Sequence, residues 1–301
     1  MKTLVIALGG NALLQRGEVL SADNQYKSIA KIASAIGELA EHYRIVIVHG
    51  NGPQVGLLAL QNLAYEAVPS YPLDILGAES QGMIGYMLAQ RLSQNANARP
   101  VSTILTRVVV DKNDPAFDTP SKYIGPVYEP ERQKDLERQY GWQMKLDGNY
   151  LRRVVPSPAP QSIQDSEAIR LLLDKRHIVI CCGGGGIPMI EGEEGYRGVE
   201  AVIDKDLVAS LLARELNAEY LMILTDADAV YQDWGTPQAK ALRQVTPDEL
   251  RPFAAPDGAM GPKAEAAIEF VEKTGKKAFI GALKDALAIV REEKGTCIRL
   301  A

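Results

Sequence analysis

Lys205 and Lys263 stand at unusual places in the chain. The first lies in Val202-Ile203-Asp204-Lys205-Asp206 and the second in Met260-Gly261-Pro262-Lys263, and each opens a stretch with helical spacing. An ammonium in a first helical turn opposes the macrodipole, so it brings no local stability. Beside the unpaired amides of that turn it makes a strong anion site. A third lysine, Lys122, sits in a proline-rich segment. Solvated surface is the ordinary fate of any one lysine; three such placements in one chain suggest a phosphate.

Glycines supply the rest of such a site. Gly183 to Gly186 follow the apolar run from His177 to Cys181. Gly9 and Gly10, with Asn11, follow Leu4 to Leu8, and Gly50-Asn51-Gly52 follows Ile45 to Val48. Backbone without Cβ lets an anion come close to consecutive N–H groups. None of the standard phosphate fingerprints fits: no Walker A lysine follows Gly183, and G-x-G-x-x-G fails because its last place falls on Pro188. Protein-kinase signatures and the G-x-S-x-G elbow are also missing.

Several carboxylates could serve the lysines. Asp206 could orient the ammonium groups, touch a metal-bound water or simply favour a helix start. Asp226 and Asp228, in Thr225-Asp226-Ala227-Asp228-Ala229-Val230-Tyr231, could accept from ribose hydroxyls, support a metal or only close a strand. His49 could be an acid or base, though a strand-end histidine in local hydrogen bonds is the simpler reading. Three cysteines, Cys181, Cys182 and Cys297, form no disulfide framework, and with three histidines they show no metal-ligand spacing. Cys181 and Cys182 read as core residues, and the cysteine usage as that of a reducing cytosol.

Positioning these groups requires βαβ units. Apolar, β-branched runs recur at 4–8, 44–48, 101–110, 178–182, 220–224, 277–280 and 297–300. Between them lie helical faces: Ile29, Ala33, Ile36 and Ala40; Leu207, Val208, Leu211 and Leu212; Ala264, Ala267, Ile268 and Val271. Strands alternating with helices predict a mostly parallel sheet covered on both sides, with ligands outside the carboxyl ends of its strands. Seven of the 17 prolines lie between Pro115 and Pro160. Proline suppresses helix interiors and central strands, so residues 115–160 are expected to stand off the sheet as an inserted lid or a passive excursion. The 301 residues, 46% hydrophobic and 24% charged, suit one α/β domain over 1–301. A net charge of −5 argues against nucleic acid as partner. The apolar start ends in Gly-Gly-Asn rather than a cleavage site, and no run is long enough to span a membrane.

Taken in order, several strings resemble the carbamate kinases of the amino-acid kinase superfamily. They are Leu8-Gly9-Gly10-Asn11-Ala12-Leu13, His49-Gly50-Asn51-Gly52-Pro53-Gln54-Val55-Gly56, Ser80-Gln81-Gly82-Met83-Ile84-Gly85-Tyr86, Arg152-Arg153-Val154-Val155-Pro156-Ser157-Pro158, the tetraglycine, Val202 to Asp206, Thr225 to Asp228, and Met260 to Lys263. Each string alone is weak; together they span the chain. The resemblance implies a three-layer α/β/α sandwich, a homodimer and reversible phosphoryl transfer from ATP to carbamate, giving ADP and carbamoyl phosphate. Mg²⁺ would ride on the nucleotide phosphates, with no side-chain metal site. It casts Lys122, Lys205 and Lys263 as phosphate contacts, Asp206 as their holder, and the 115–160 insertion as a mobile lid carrying Lys122. Gly9, Gly10, Asn11, Gly50, Asn51, Gly52, Gly184 and Gly185 would meet carbamate and the phosphoryl oxygens. Thr225, Asp226, Ala227, Asp228, Tyr231, Met260 and Gly261 would lie near the nucleotide. One departure is Tyr123, where the family often has proline; Glu79 is another. Two rivals remain at this stage: a related kinase for another small anion, and a non-catalytic sensor of nucleotide or carbamoyl phosphate.

Overall fold

Residues Leu4 to Leu8 are apolar without a break, and in the computed structural model all five are fully shielded from water. Such a strand belongs inside a sheet covered on both faces. The structure describes residues 1–15, 17–95, 99–255 and 260–301, without the side chains of Asn11 and Asn95. Gly258 and Ala259, which precede Met260, lie outside it.

Among the described residues, the central sheet has eight strands: β1 (Thr3–Leu8), β2 (Arg44–His49), β3 (Val101–Thr103), β4 (Ile178–Ile180), β5 (Tyr220–Thr225), β6 (Gln244–Val245), β7 (Lys277–Ala282) and β8 (Thr296–Ile298), in the order β6-β8-β7-β5-β1-β2-β4-β3. Every pairing is parallel except β7 with β8. Six helices matter for the layers: α1 (Ala22–Ala40), α2 (Gly52–Ala64), α3 (Leu73–Asn95), α4 (Ser166–Asp174), α5 (Lys205–Glu215) and α6 (Gly261–Thr274).

Alternation along the strands builds two separate cores. Leu4, Ile6, Leu8, Ile45 and Ile47 pack with Ile29, Ile32, Ala33, Ile36 and Leu39 of α1 and with Ile84, Leu88 and Leu92 of α3. Val5, Ala7, Val46 and Val48 face the other way, onto Ile169 and Leu173 of α4, Val208 and Leu212 of α5, and Ala264, Ala267 and Val271 of α6. The three-layer sandwich follows directly. β1, β2 and β4 are neighbours and parallel, so the three strand-then-glycine turns open at one rim, as expected.

The run 101–110 does not form one strand. It splits into β3 and Arg107–Val110, and the latter joins a second, four-stranded sheet with Pro160–Ile163, Ile187–Gly192 and Gly195–Gly198. The cause is Gln81 of α3, whose side-chain amide accepts from the Thr106 N–H at 2.9 Å and donates to its carbonyl at 3.3 Å. A side chain here replaces the ladder partner, so the backbone can change sheets with its polar groups satisfied.

The proline-rich region carries an arm. Lys122–Tyr128, Tyr150–Val155 and Gln143–Asp147 form a three-stranded antiparallel sheet in that spatial order. With the helix Gln133–Tyr140 it encloses a small core of Leu136, Met144 and Leu151, flanked by Tyr140 stacked on Trp142 at 4.5 Å. Tyr123 donates from its hydroxyl to the Leu146 carbonyl at 2.5 Å, tying the arm's first strand to its opposite edge strand. The arm's first strand lies along α2, where a Cβ on Gly56 would fall 2.0 Å from the Gly125 Cα. Two glycines thus let the arm and body backbones touch.

Candidate active site

The start of α5 organises the site. Asp204 caps the helix, accepting from the Asp206 N–H at 2.8 Å. This turn places Lys205 and Asp206 side by side at the helix N-terminus. Lys205 Nζ donates to Asp206 Oδ1 at 2.7 Å, and Lys263 Nζ, from the first turn of α6, donates to Asp206 Oδ2 at 3.1 Å. Asp206 is 1% exposed, so its carboxylate serves as an internal clamp for two ammonium groups. Burial lowers the Lys205 pKa, with Asp206 opposing the change and Lys263 reinforcing it. Burial also acts on Lys263, but Asp206, joined by Asp204 and Asp226, outweighs it and holds that ammonium above its ordinary range.

Lys122 reaches in from the arm and pairs with Asp204 through the oxygen not used by the cap. Burial would raise the Asp204 carboxyl; Lys122 and then Lys205 overcome this and keep it well below the usual carboxylate range. The three lysines thus meet around two aspartates joined by one peptide N–H.

Above the clamp lies a cleft of about 1030 Å³. Its wall includes Gly9, Gly10, Lys205, Lys263, Thr225, Asp226, Ala227, Tyr231 and Met260 from the expected set. Gly261 is buried behind it at the start of α6. Gly10 opens a short helical turn, and no atom lies within 4 Å of where its Cβ would be. Asn51 and Gly52 form the N-terminus of α2. The Lys205 stem passes over Gly50, close to the Gly10 nitrogen. Two helix starts and two lysines therefore converge on one place; the Asn11 side chain lies outside the described residues.

Other expected residues make contacts within the protein. The tetraglycine is buried, and its missing side chains make room for protein. A Cβ on Gly184 would fall 2.1 Å from Asn51 Nδ2, and one on Gly185 2.1 Å from the Ile203 carbonyl oxygen. Both have positive φ, 65° and 91°, which L side chains adopt at a cost. The Gly185 and Gly186 amides close the turn on Cys182 and Gly183. Gly184 and Gly185 thus shape the bed under Asn51 and Asp204. Asn51 in turn donates to Ser80 Oγ at 2.8 Å, which holds its amide in place. Gly9 has its N–H on the Leu224 carbonyl. Asp228 accepts from the Tyr231 hydroxyl at 2.9 Å and orients that ring. His49 is the strand-end histidine in a local hydrogen bond: its Nδ1–H donates to the Gly50 carbonyl at 3.0 Å, and burial lowers its pKa to about 4.

Three site residues escaped sequence reading. Arg152 lines the cleft from the arm while pairing with Asp147 at 2.9 Å. Trp234 lies on the rim with its ring centroid 5.0 Å from that of Tyr231. Asp204 was read only as part of the string Val202 to Asp206. Its position before Lys205 was visible, and its second partner, 82 residues away, was not.

An amino acid kinase family model matches residues 2–282. The chain belongs to the amino acid kinase family. Within it, the chain is 62% identical over 300 residues to carbamate kinase of Escherichia coli K12, covering all of both chains. It is 54% identical to that of Rhizobium meliloti, over 98% of this chain and 92% of that one. Carbamate kinase from Giardia lamblia bound to AMP-PNP superposes with a TM-score of 0.90 at 41% identity, over 100% of this chain and 99% of that one. The same enzyme bound to citric acid gives 0.93 at 41% identity, with the same coverage. Full-length identity at this level sets the chain among the carbamate kinases, phosphotransferases that move a phosphoryl group between a nucleotide and carbamate.

Proposed function

We propose that Lys205 and Lys263 hold the transferring phosphoryl group from the nucleotide side, that Lys122 approaches it from the arm, and that Asp206 keeps the first two ammonium groups in place. The observation carrying this reading is the single buried carboxylate that receives both lysine nitrogens on the wall of a cleft of nucleotide size. Carbamate is already an oxyanion, so no side chain must take a proton from it. The task is to bring two anions together and to support charge on the phosphoryl oxygens, which is positioning and electrostatics. The N–H groups of Gly10, Asn51 and Gly52, at helix starts, suit the carbamate end and the phosphoryl oxygens. Gly9 and Gly50 give that backbone its close approach, and Gly184 and Gly185 support it from below. Thr225, Asp226, Ala227, Tyr231, Met260 and Gly261 form the nucleotide wall, and Asp228 acts there by orienting Tyr231.

Mg²⁺ belongs to this reading as an ion carried by the nucleotide phosphates. Both oxygens of Asp204 and of Asp206 accept hydrogen bonds from the protein. Mg²⁺ commonly keeps water and leans on substrate phosphates with one or two carboxylates; Asp226, on the cleft wall with the glycine turns and the lysine pair, would be a carboxylate for its water shell. When bound, it neutralises charge between the terminal phosphates.

The same reading includes a homodimer in the cytoplasm. Exposed Tyr65, Tyr71 and Tyr86 would suit a face covered by a second copy, and three buried free cysteines suit a reducing compartment. Among the described residues no helix is long and apolar enough to cross a membrane.

The test is Lys205→Ala in an assay of ATP formation from ADP and carbamoyl phosphate. Turnover should fall by about 10²–10³, the range for losing one preorganised electrostatic donor, with the melting curve kept. Near-normal turnover in a folded variant would remove Lys205 from the mechanism.

A further inference from the structure

We propose that Asp204 is a positioning residue that keeps the arm's Lys122 in register with the lysine pair held by Asp206. This rests on the assignment of Lys122 to the transferring phosphoryl group. A helix cap needs one side-chain oxygen, and Asn or Ser would provide it as well as Asp. Asp204 uses one oxygen for that purpose, on the Asp206 N–H at 2.8 Å. Its other oxygen is turned to Lys122, and this contact profits from a full negative charge.

The chain of contacts is short and direct. Lys122 touches Asp204, Asp204 holds the Asp206 backbone, and the Asp206 side chain holds Lys205 and Lys263. Asp204 is 8% exposed, and the peptide before it is pinned, because the Ile203 carbonyl lies where a side chain on Gly185 would be. A fixed carboxylate therefore marks one spot at which the arm's ammonium comes to rest. It also makes the approach tolerable, since Lys122 joins two other cations. Three ammonium groups against two carboxylates leave one net positive charge until the phosphoryl oxygens enter. Without Asp204, Lys122 would face Lys205 and Lys263 with only Asp206 to offset them, and the arm would lose its ionic tie to the body at this point.

The experiment is a double-mutant cycle on turnover with ADP and carbamoyl phosphate: Lys122→Ala, Asp204→Asn and the pair. Asn keeps the cap, and a melting curve checks the fold; Asp204→Ser, a second capping variant, replaces it should Asn not fold. Lys122→Ala should lower kcat about 10²–10³-fold, as for one preorganised donor. Asp204→Asn should lower kcat at least tenfold in the intact chain and change it less than threefold when Lys122 is already gone. An equal loss in both backgrounds overturns the proposal, because Asp204 would then act through the helix and not through Lys122. A loss below tenfold in the intact chain also overturns it. Near-normal turnover of Lys122→Ala alone is a different failure, that of the phosphoryl assignment itself.

Discussion

The body and the arm both bring lysines to the start of α5, and they hold them in different ways. In the body, Lys205 and Lys263 come from two helices packed on the same face of the sheet and end on a carboxylate that water cannot reach. In the arm, Lys122 stands on a strand of a separate small sheet, its side chain a third exposed, and meets the body through Asp204 and a glycine-to-glycine seam. The arm's core, Leu136, Met144 and Leu151, is small beside the two that sandwich the central sheet. The body's charges are therefore preorganised by the bulk of the fold, and the arm's charge by a local fit. Two of the three ammonium groups are thus fixed within the body, and the seating of the third depends on the arm.

The sharpest way to break this contrast is Asp206→Ala. It leaves two ammonium groups buried without their carboxylate, a change that costs about 3–5 kcal/mol when one partner of a buried ion pair is removed. Turnover should become hard to detect and the urea midpoint should fall together with it. A stable variant would mean that the body pair is held by something other than Asp206.

Gly56→Ala should act on the arm alone. The new Cβ meets the Gly125 backbone, which cannot rotate away, so the arm must shift. Expected is a loss of kcat of about tenfold, on the scale that a 1 Å misplacement of a positioned group can produce or exceed, with a body that melts as before and an arm cut faster by protease. Full turnover with a displaced arm would show that Lys122 need not be seated.

The smallest effect belongs to His49, under the body's glycine loop. Its pKa falls from an ordinary 6.5 to about 4 on burial. The unfolded chain therefore takes up a proton between these values that the folded chain refuses, and stability falls as pH drops through 6.5 toward 4. By pH 5.5 the loss from this group is about 1 kcal/mol. Urea midpoints at pH 7.5 and 5.5, compared between the native chain and His49→Gln, should show a smaller acid loss in the variant. Equal losses would place the titrating group elsewhere.

Much of the fold was legible because it depends on local pattern. Ile29, Ala33, Ile36 and Ala40 recur with helical spacing and do pack on the sheet. The strand-then-glycine turns after Leu8 and Val48 do lie on adjacent parallel strands. The break in 101–110 was hidden, since Val108 to Val110 continue the apolar run and the agent, Gln81, lies in another helix. The tetraglycine's composition suggests an open anion cradle; what the sequence does not reveal is that His49, Asn51, Ile203 and Val108 fill the space that its side chains would need.

From sequence alone came the α/β class, the proline-rich insertion, the three unusual lysines and the family that their surroundings resemble, because propensity, periodicity and motif order are properties of neighbouring residues. Tertiary structure alone decided that Lys263 and Lys205 share one carboxylate across 57 residues, that Lys122 crosses 82 residues to Asp204, and that protein fills the space beside the tetraglycine. Such pairings depend on which faces of distant elements the two cores press together, and no local stretch of chain carries that information.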